Sequence, residues 1–255
     1  MSNTILLEQK DGIIYLTLNR PDAYNSLHVP MLEELLENLK QVTEMNEHIV
    51  VLKGSGKGFS AGGDIKSMLG TFDTPFESIM QVIGDVVTTL YAMNKLTICA
   101  IHGAAAGLGL SIGLGCDHVI ADKHAKIAMN FIGIGLVPDG GGHFFLKNRL
   151  GDMKAKSIIW EGKTFTAAEA FQIGLIDDIS ENLEEAVSQK TAEWLEKPVL
   201  SMLATKNIFV QQSIEALKDT LKLETFHQAE MRKTLDHQEG IKAFIEKRRP
   251  VFTGN

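Results

Sequence analysis

The sequence predicts an α/β fold that is followed by a helical C-terminal region. Hydrophobic residues make up 44% and charged residues 22% of the 255 residues, which is typical of a packed globular chain. Short runs of strand-forming residues alternate with runs of helical period along the first two thirds of the chain, whereas only helical patterns remain from about Val199 to Lys247. We therefore expect a core over residues 1–195 and a helical region over residues 196–255.

Two units of strand and helix are predicted in the first part of the chain. Residues 13–18 form an apolar run of strand type that ends at the turn sequence of residues 19–22. A second strand is predicted at residues 49–52, and it opens into a glycine-dense loop at residues 54–63. Each strand precedes apolar residues that recur on one helical face. These are Leu32, Leu35, Leu36, Leu39 and Val42 in the first helix, and Phe76, Ile79, Ile83, Val86, Val87 and Leu90 in the second.

The most hydrophobic stretch, residues 96–116, is interpreted as a strand, a tight turn and a buried helix. It is long enough to cross a bilayer, and only His102 and Ser111 interrupt its apolar residues and glycines. Residues 97–101 are of strand type, however, and the glycines that follow them indicate close backbone packing. The alternative, a membrane-spanning helix, lacks the flanking residues that anchor such helices.

Further elements are predicted before the C-terminal region. Short strands are expected near residues 119–121 and 126–128, and a loop is expected at residues 138–142. Thr166 and Glu169 have the spacing of a capping box, and Gly174 is expected to end the helix that they begin.

Charge, the N-terminal residues and the cysteine content limit the class of protein. The net charge of −7 disfavours binding to nucleic acid or to an anionic membrane. The N-terminal residues reach charges at Glu8 and Lys10 after a short apolar run, which does not resemble a signal peptide. Cys99 and Cys116 are too few for a disulfide framework, so we expect a cytoplasmic protein.

Three candidate motifs are weak. Residues 109–113 match the Gly-x-Ser-x-Gly pattern of a hydrolase, but the preceding strand ends about ten residues earlier, which places Ser111 inside a helix rather than at a turn. The loop at residues 54–58 lacks the spacing of a Walker loop, and it is either an anion-facing loop or a plain surface turn. The eight histidines include no metal-ligand spacing, so no metal is predicted.

The segment Phe59-Ser60-Ala61-Gly62-Gly63-Asp64-Ile65-Lys66 resembles a loop of the crotonase, or enoyl-CoA hydratase/isomerase, family. Other segments resemble the family in the same order, so the resemblance covers nearly the whole chain. The run at residues 135–139 is especially similar to the ring-epoxide isomerases of phenylacetate metabolism, and it also resembles enoyl-CoA isomerases. The other matching segments are residues 19–21, 25–27, 101–117, 167–175 and 239–247.

This resemblance implies a fold, an assembly and a substrate class. The family fold is a spiral of strand-strand-helix turns with a C-terminal helical region that forms trimers, often stacked as hexamers. The apolar residues Leu217, Leu221, Leu223 and Phe226 are predicted to help form the subunit contacts. The substrate would be an acyl-CoA thioester, and no separate cofactor is expected because coenzyme A is part of that substrate.

The resemblance also implies how the reaction intermediate is stabilised. Members of the family hold a thioester enolate with two backbone N–H groups, which by position would belong to Gly63 and Leu108. Such preorganised donors contribute a few kcal/mol, and glycine at position 63 allows a ligand to approach the backbone closely. Leu108 stands where the family usually has glycine, but a backbone donor tolerates a change of side chain. The other predicted substrate contacts are Ala61, Gly62, Asp64, Ile65, Lys66, Ser111 and Phe131, with Phe244 and Lys247 contacting coenzyme A bound by a neighbouring subunit.

The acidic residues favour an isomerase. Hydratases of the family use two glutamates, but the matching positions hold Ser111 and Phe131, which do not titrate near neutral pH. Asp139 matches the single carboxylate of the isomerases and is predicted to be the catalytic base. From the residues alone, Asp139 could instead cap the helix that follows Gly142 or close a Pro-Asp-Gly turn.

We therefore expect an enzyme that shifts a double bond in an enoyl-CoA through a dienolate. The first alternative is a hydratase that uses an unusual acid or a water molecule held near Ser111. The second alternative is a non-catalytic acyl-CoA-binding protein.

Overall fold

The computed structural model describes residues 3–65 and 75–255, and these form two β-sheets surrounded by helices. The strands are β1 (Ile5–Lys10), β2 (Ile13–Leu18), β3 (Ile49–Gly54), β4 (Leu96–Ile101), β5 (Ala104–Ala106), β6 (His118–Asp122), β7 (Lys126–Ala128), β8 (Thr164–Thr166) and β9 (Asp178–Ser180). The helices are α1 (Val29–Thr43), α2 (Phe76–Ala92), α3 (Leu108–Leu114), α4 (Gly142–Leu150), α5 (Asp152–Glu161), α6 (Ala167–Gln172), α7 (Leu183–Leu195), α8 (Val199–Met231) and α9 (Leu235–Glu246).

The larger sheet has six strands in the order β1-β2-β3-β4-β6-β9. The β1 and β2 strands are antiparallel, whereas every other neighbouring pair is parallel. One row across its middle aligns Leu16, Leu52, Cys99 and Val119, all of them buried. Apolar clusters cover both faces of the central strands, which explains why these strands are continuous apolar runs in the sequence.

The smaller sheet has the order β5-β7-β8, and two isolated bridges extend it toward the N-terminal half of the chain. Ser60 pairs with Ala105, and Gly63 pairs with Leu27, both in parallel orientation. Each turn of the chain therefore adds one segment to each sheet, and a helix then leads into the next turn. This layering confirms the predicted spiral of strand-strand-helix turns.

The structure refines the prediction for residues 96–116. The strand is present as β4 and the buried helix as α3, but the expected tight turn between them also contains the short strand β5. The residues of β5 are three alanines, whose small side chains carry little strand signal although their backbone pairs with β7. No helix among residues 3–65 and 75–255 is long and apolar enough to cross a membrane.

The capping box and the helical C-terminal region are confirmed. The Glu169 N–H donates to Thr166 Oγ1 at 3.2 Å, and the Thr166 N–H donates to Glu169 Oε2 at 2.8 Å, at the start of α6. The region after residue 199 contains α8 and α9 and no strand among its described residues. One predicted contact residue is placed differently, because Leu217 is buried within its own chain. A domain boundary at residue 195 stays a prediction.

A buried polar network fixes α8 to the larger sheet. Lys206 of α8 donates from Nζ to Asp117 Oδ2 at 2.8 Å and to the Lys95 carbonyl at 2.7 Å. The same Asp117 oxygen accepts bonds from the backbone N–H and the hydroxyl of Thr97. The Lys206 side chain is 7% exposed, so these bonds replace contacts that it would otherwise make with water.

We expect Lys206→Ala to lower the free energy of unfolding by about 2 kcal/mol or more, because it leaves Asp117 without its buried cationic partner. The measurement is urea denaturation followed by circular dichroism. Lys123→Ala is the matched control, since its ion pair with Glu181 is exposed and is expected to contribute almost nothing. Equal urea midpoints for the two variants would contradict this account of the network.

Candidate active site

A cavity of about 320 Å³ lies between the two sheets' loops and the helices α1, α2, α8 and α9. Its walls are mostly apolar, with a few polar side chains, which is the usual character of a small-molecule site. Most of the residues predicted to form a site line this cavity. They are Ala61, Gly62, Gly63, Asp64, Ile65, Leu108, Phe131, Asp139 and Phe244.

Pairing between two backbone segments positions the loops that carry the predicted N–H donors. The Ser60 N–H donates to the Ala104 carbonyl, and the Ala106 N–H donates to the Ser60 carbonyl, both at 3.0 Å. These bonds set Ser60 beside Ala105 in parallel register. Gly63 and Leu108 each lie three residues further along, and both residues line the cavity.

Both predicted donors are available to a ligand. Neither the Gly63 N–H nor the Leu108 N–H has an acceptor among the residues that the structure describes. Leu108 is the first residue of α3, where a backbone N–H has no intrahelical acceptor and the helix dipole favours negative charge. Two such groups on the wall of an apolar cavity can stabilise an oxyanion.

Gly62 allows this close approach of the two segments. Its φ is +89°, a conformation that favours glycine. A β-carbon at position 62 would lie 2.6 Å from the Ala106 carbonyl oxygen and 3.5 Å from the Leu108 nitrogen. Any side chain at this position would therefore push the two segments apart.

Asp64 helps to hold this loop in place. Its Oδ2 accepts bonds from Arg20 Nη1 at 3.1 Å and Nη2 at 3.2 Å, and the Ser26 hydroxyl lies 3.3 Å from the same oxygen. The Arg20 Nη1 also donates to the Ser26 carbonyl at 2.6 Å. Asp64 therefore lines the cavity as an ion-paired carboxylate.

Asp139 provides a second carboxylate in a different environment. It lies between Pro138 and Gly140 and is 7% exposed. Its Oδ2 accepts a bond from Gln228 Nε2 at 3.2 Å, whereas its Oδ1 is buried and has no hydrogen-bond partner among the described residues. Burial, and then the nearby negative charge of Glu224, raise the pKa of Asp139 well above its ordinary value, although Arg232 opposes this shift. A buried carboxylate of this kind is a stronger base than one in water.

The helix-capping alternative for Asp139 does not fit the geometry. The α4 helix begins at Gly142 and receives no capping bond from the side chain of Asp139. The Gly142 N–H instead donates to the backbone carbonyl of Asp139 at 3.2 Å, which closes a turn and leaves the carboxylate out of it. Glu224 supplies the acceptors at this helix start, through bonds from the N–H groups of Gly141 at 2.8 Å and His143 at 3.1 Å.

Three polar residues at four-residue intervals along α8 and its C-cap were missed by the sequence analysis. Glu224 caps α4, Gln228 contacts Asp139, and Arg232 lines the cavity with its guanidinium carbon 4.9 Å from the Phe76 ring centre. Residues four apart lie on one face of a helix. The spacing was visible in the sequence, but polar residues at this interval usually mark a solvent-exposed face.

Two predicted contacts lie off the cavity, and a third lies outside the described residues. Ser111 is fully buried inside α3, and its hydroxyl lies 3.4 Å from the Gly107 carbonyl. Lys247 is the exposed C-cap of α9, and Lys66 lies outside the described residues. Phe244 lines the cavity of its own chain, so its predicted contact across a subunit boundary stays a prediction.

A turn of three glycines packs directly against Ser111. A β-carbon at position 140 would lie 3.3 Å from Ser111 Cβ and 2.5 Å from Leu108 Cδ1. A β-carbon at position 142 would lie 2.9 Å from Ser111 Oγ. This packing explains why Ser111 has no exposed surface and why the hydrolase interpretation fails for it.

The loop at residues 54–58 lies away from the cavity. Asn25 Nδ2 donates to the carbonyls of Ser55 at 2.9 Å and Gly58 at 2.8 Å, and Lys57 is exposed. These bonds use carbonyl groups, so the loop is a tethered surface turn in this structure. In the described part of the chain, no group of three His, Cys, Asp or Glu residues is placed to hold a metal ion.

Comparisons with known proteins agree with this geometry. A family profile described as "Enoyl-CoA hydratase/isomerase" matches residues 8–255. The chain is 52% identical over 243 residues to YhaR of Bacillus subtilis strain 168, which is named as an enoyl-CoA hydratase/isomerase, with 94% of this chain and 95% of YhaR covered. It is 33% identical over 262 residues to the 1,2-epoxyphenylacetyl-CoA isomerase of Escherichia coli K12, with both chains fully covered.

A solved structure is similar over the same extent. The crystal structure of an enoyl-CoA hydratase from Mycobacterium avium subsp. paratuberculosis K-10 matches with a TM-score of 0.89 and 30% identity, and 98% of each chain is covered. The predicted fold and the predicted similarity to epoxide isomerases are both confirmed by these matches.

Proposed function

The chain belongs to the enoyl-CoA hydratase/isomerase family, and we propose that it shifts a double bond in an enoyl-CoA thioester. The observation that carries this proposal is the buried carboxylate of Asp139, whose Oδ1 has no partner among the described residues, in the same cavity as the free N–H groups of Gly63 and Leu108. Asp64, the other carboxylate on the cavity wall, is ion-paired with Arg20.

The proposed reaction moves one proton within the substrate. The thioester carbonyl oxygen of a 3-enoyl-CoA accepts hydrogen bonds from the Gly63 and Leu108 N–H groups. Asp139 takes a proton from the carbon next to the carbonyl, which gives a dienolate whose negative charge these donors stabilise. The protonated Asp139 then returns the proton two carbons along the chain, which gives the 2-enoyl-CoA and restores the carboxylate.

This chemistry needs one base and no transfer of electrons, so we propose that coenzyme A, as part of the substrate, is the only cofactor group involved. A cytoplasmic location and the absence of nucleic-acid binding stay predictions from the sequence.

The hydratase alternative is supported by the similarity to a solved enoyl-CoA hydratase. Hydration needs one group to activate water and another to protonate the carbon. Asp139 could supply one of them, but the positions that match the family's two glutamates hold Ser111, which is buried off the cavity, and Phe131. We therefore rank isomerisation first.

A panel of 2-enoyl-, 3-enoyl- and saturated acyl-CoA thioesters tests the proposal. The products are identified by mass and by double-bond position. We expect the 3-enoyl thioesters to give 2-enoyl products of unchanged mass, whereas hydration adds the mass of water. Water addition without a double-bond shift would reject the isomerase, and binding without turnover of any enoyl thioester would favour the non-catalytic alternative.

The pH dependence of the reaction tests the role of Asp139. The base is active only when it is ionised, and its pKa is raised well above the ordinary value of 3.8. We therefore expect kcat/KM to fall as the pH decreases through a midpoint well above 3.8, with activity retained on the alkaline side. Affinity for a saturated acyl-CoA, measured over the same range, is the control for binding. A midpoint at the ordinary aspartate value would contradict the assignment.

We also propose that the protein assembles as a trimer or hexamer. The exposed face of α8 carries Phe209, Leu223 and Phe226, which are 60–64% exposed in the single chain. Large apolar side chains clustered on one helix are typical of an interface. Light scattering at micromolar concentration is expected to give three or six times the mass of one chain, and a monomer would contradict the proposal.

A further inference from the structure

We propose that Gln228 is a positioning residue that fixes which oxygen of Asp139 carries the transferred proton. This inference rests on the proposed function, since it assigns to α8 a role in preparing the base. Its basis is the pair of hydrogen bonds from the buried Gln228 amide, the Asp139 oxygen that has no partner among the described residues, and the contacts of Glu224 that fix the position of α8.

The Gln228 amide holds both sides of Pro138. Its Nε2 donates to the Val137 carbonyl at 2.6 Å and to Asp139 Oδ2 at 3.2 Å, and the residue is 2% exposed. The orientation of the amide follows from these partners, because both are oxygens and only the NH₂ group can donate to them. The two bonds tie the carboxylate to the backbone on the other side of the proline.

An amide NH₂ group donates and does not accept, so Asp139 Oδ2 remains an acceptor whether the carboxyl is ionised or neutral. The acid proton is therefore directed to Oδ1, the oxygen without a partner among the described residues. The same oxygen would take the proton from the substrate and return it. Gln228 thus prevents a rotation of the carboxyl that would turn the proton away from the substrate.

Glu224, one helical turn before Gln228, fixes the position of α8 relative to Asp139. Its carboxylate accepts bonds from the Gly141 N–H, the His143 N–H and His143 Nδ1 at 2.8–3.1 Å. It is 2% exposed, so it is also a buried negative charge near Asp139. Among the described residues, the charged groups that act on Asp139 are Glu224 and Arg232. The titratable His143 of α4 contacts Glu224, and the titratable His237 of α9 lies near Arg232.

The test compares Gln228→Met with Glu224→Gln. Methionine has nearly the length of glutamine but no donor, so the ionised form of Asp139 loses a hydrogen bond and its titration midpoint is expected to rise by about one pH unit. Glu224→Gln removes a negative charge, so the midpoint is expected to fall. The midpoint is read from the carboxyl signal in ¹³C NMR of protein labelled at aspartate, assigned by its loss in Asp139→Asn.

Kinetics provide the second measurement. We expect Gln228→Met to lower kcat about tenfold with little change in KM, because the amide NH₂ group is bonded to Val137 and Asp139 and acts on the base. The acid limb of the pH profile is expected to move with the NMR midpoint. Gln212→Met, an exposed position of the same helix, is the matched control and is expected to change neither quantity.

An unchanged Asp139 midpoint and an unchanged kcat in Gln228→Met would overturn the inference. Should that variant fail to fold, Gln228→Glu keeps the shape but replaces the NH₂ group that donates to Val137 and Asp139 with a carboxyl oxygen, and it is also expected to raise the midpoint. An unchanged midpoint there overturns the inference equally. The NMR measurement does not depend on turnover. A parent enzyme that only hydrates its substrate would therefore refute the isomerase while the role of Gln228 is still decided by the midpoint.

Discussion

Replacing Asp139 with asparagine is expected to lower the rate of 3-enoyl-CoA isomerisation by at least about a hundredfold, which corresponds to about 2.7 kcal/mol of lost transition-state stabilisation. Asparagine keeps the shape of the side chain, and its oxygen can still accept the hydrogen bond from Gln228, but it cannot take a proton from the substrate. Affinity for the thioester is expected to stay similar, so the loss falls on kcat. The measurement is steady-state kinetics with a 3-enoyl-CoA, together with calorimetric titration of a saturated analogue.

Stability distinguishes this loss of chemistry from a loss of fold. The pKa of Asp139 is raised in the folded protein, so its neutral form contributes full stability only below about pH 3.8. That contribution is lost as the pH rises through the raised pKa. The asparagine side chain has no charge to bury, and the Asp139→Asn variant is expected to be at least as stable as the parent near pH 7. Ser111→Ala is the activity control and is expected to remain near the parental rate. Nearly full activity in the Asp139→Asn variant would show that Asp139 is a structural residue and not the base.

Replacing Gly62 with alanine is expected to lower kcat by about a hundredfold, comparable to the loss of one oxyanion donor. The new β-carbon would lie 2.6 Å from the Ala106 carbonyl oxygen, and backbone cannot give way as a flexible side chain does. The paired segments must therefore separate, which moves the Gly63 and Leu108 N–H groups apart. This substitution is expected to displace two backbone donors, which no side-chain replacement can remove directly.

The control for Gly62→Ala must separate the clash from backbone strain. Gly12 has a φ of +76°, and no neighbouring atom lies within 4 Å of the place that a β-carbon would take, so Gly12→Ala introduces the strain without the clash. We expect it to lower stability slightly and to leave kcat unchanged. Equal kinetic losses in both variants would show that the effect of Gly62→Ala comes from general destabilisation.

The strands and helices of the core were predictable where burial imposes a pattern on the sequence. Four of the six residues of β2 and the first four residues of β3 are buried, so the side chains of these runs are mostly apolar. The edge strand β1 was not predicted, because most of its side chains are partly or fully exposed and only Ile5 is buried. An edge strand is held by its backbone bonds, which leave little trace in the choice of side chains.

The candidate site was predictable in its loops but not in its helix. The N–H donors and Asp139 lie in segments that resemble a known family, and the structure places them on one cavity. Glu224 and Gln228 contact residues more than eighty positions away in the sequence. A buried polar residue and a solvated one look alike in a helical pattern, so only the packing of α8 against the loop at residues 138–142 distinguishes them.

The packing of the glycine turn against Ser111 constrains how this protein could acquire a different reaction over evolution. Hydratases of the family use a glutamate at the position of Ser111, but here the turn at residues 140–142 packs directly against Ser111, so a longer side chain is expected to press on that turn. A glutamate introduced first would strain the turn that holds Asp139, and the existing activity would suffer before a new one arose. A path toward water addition would therefore begin with substitutions that open the turn, and the acidic residue would follow. The order of mutations is limited here as much as their identity.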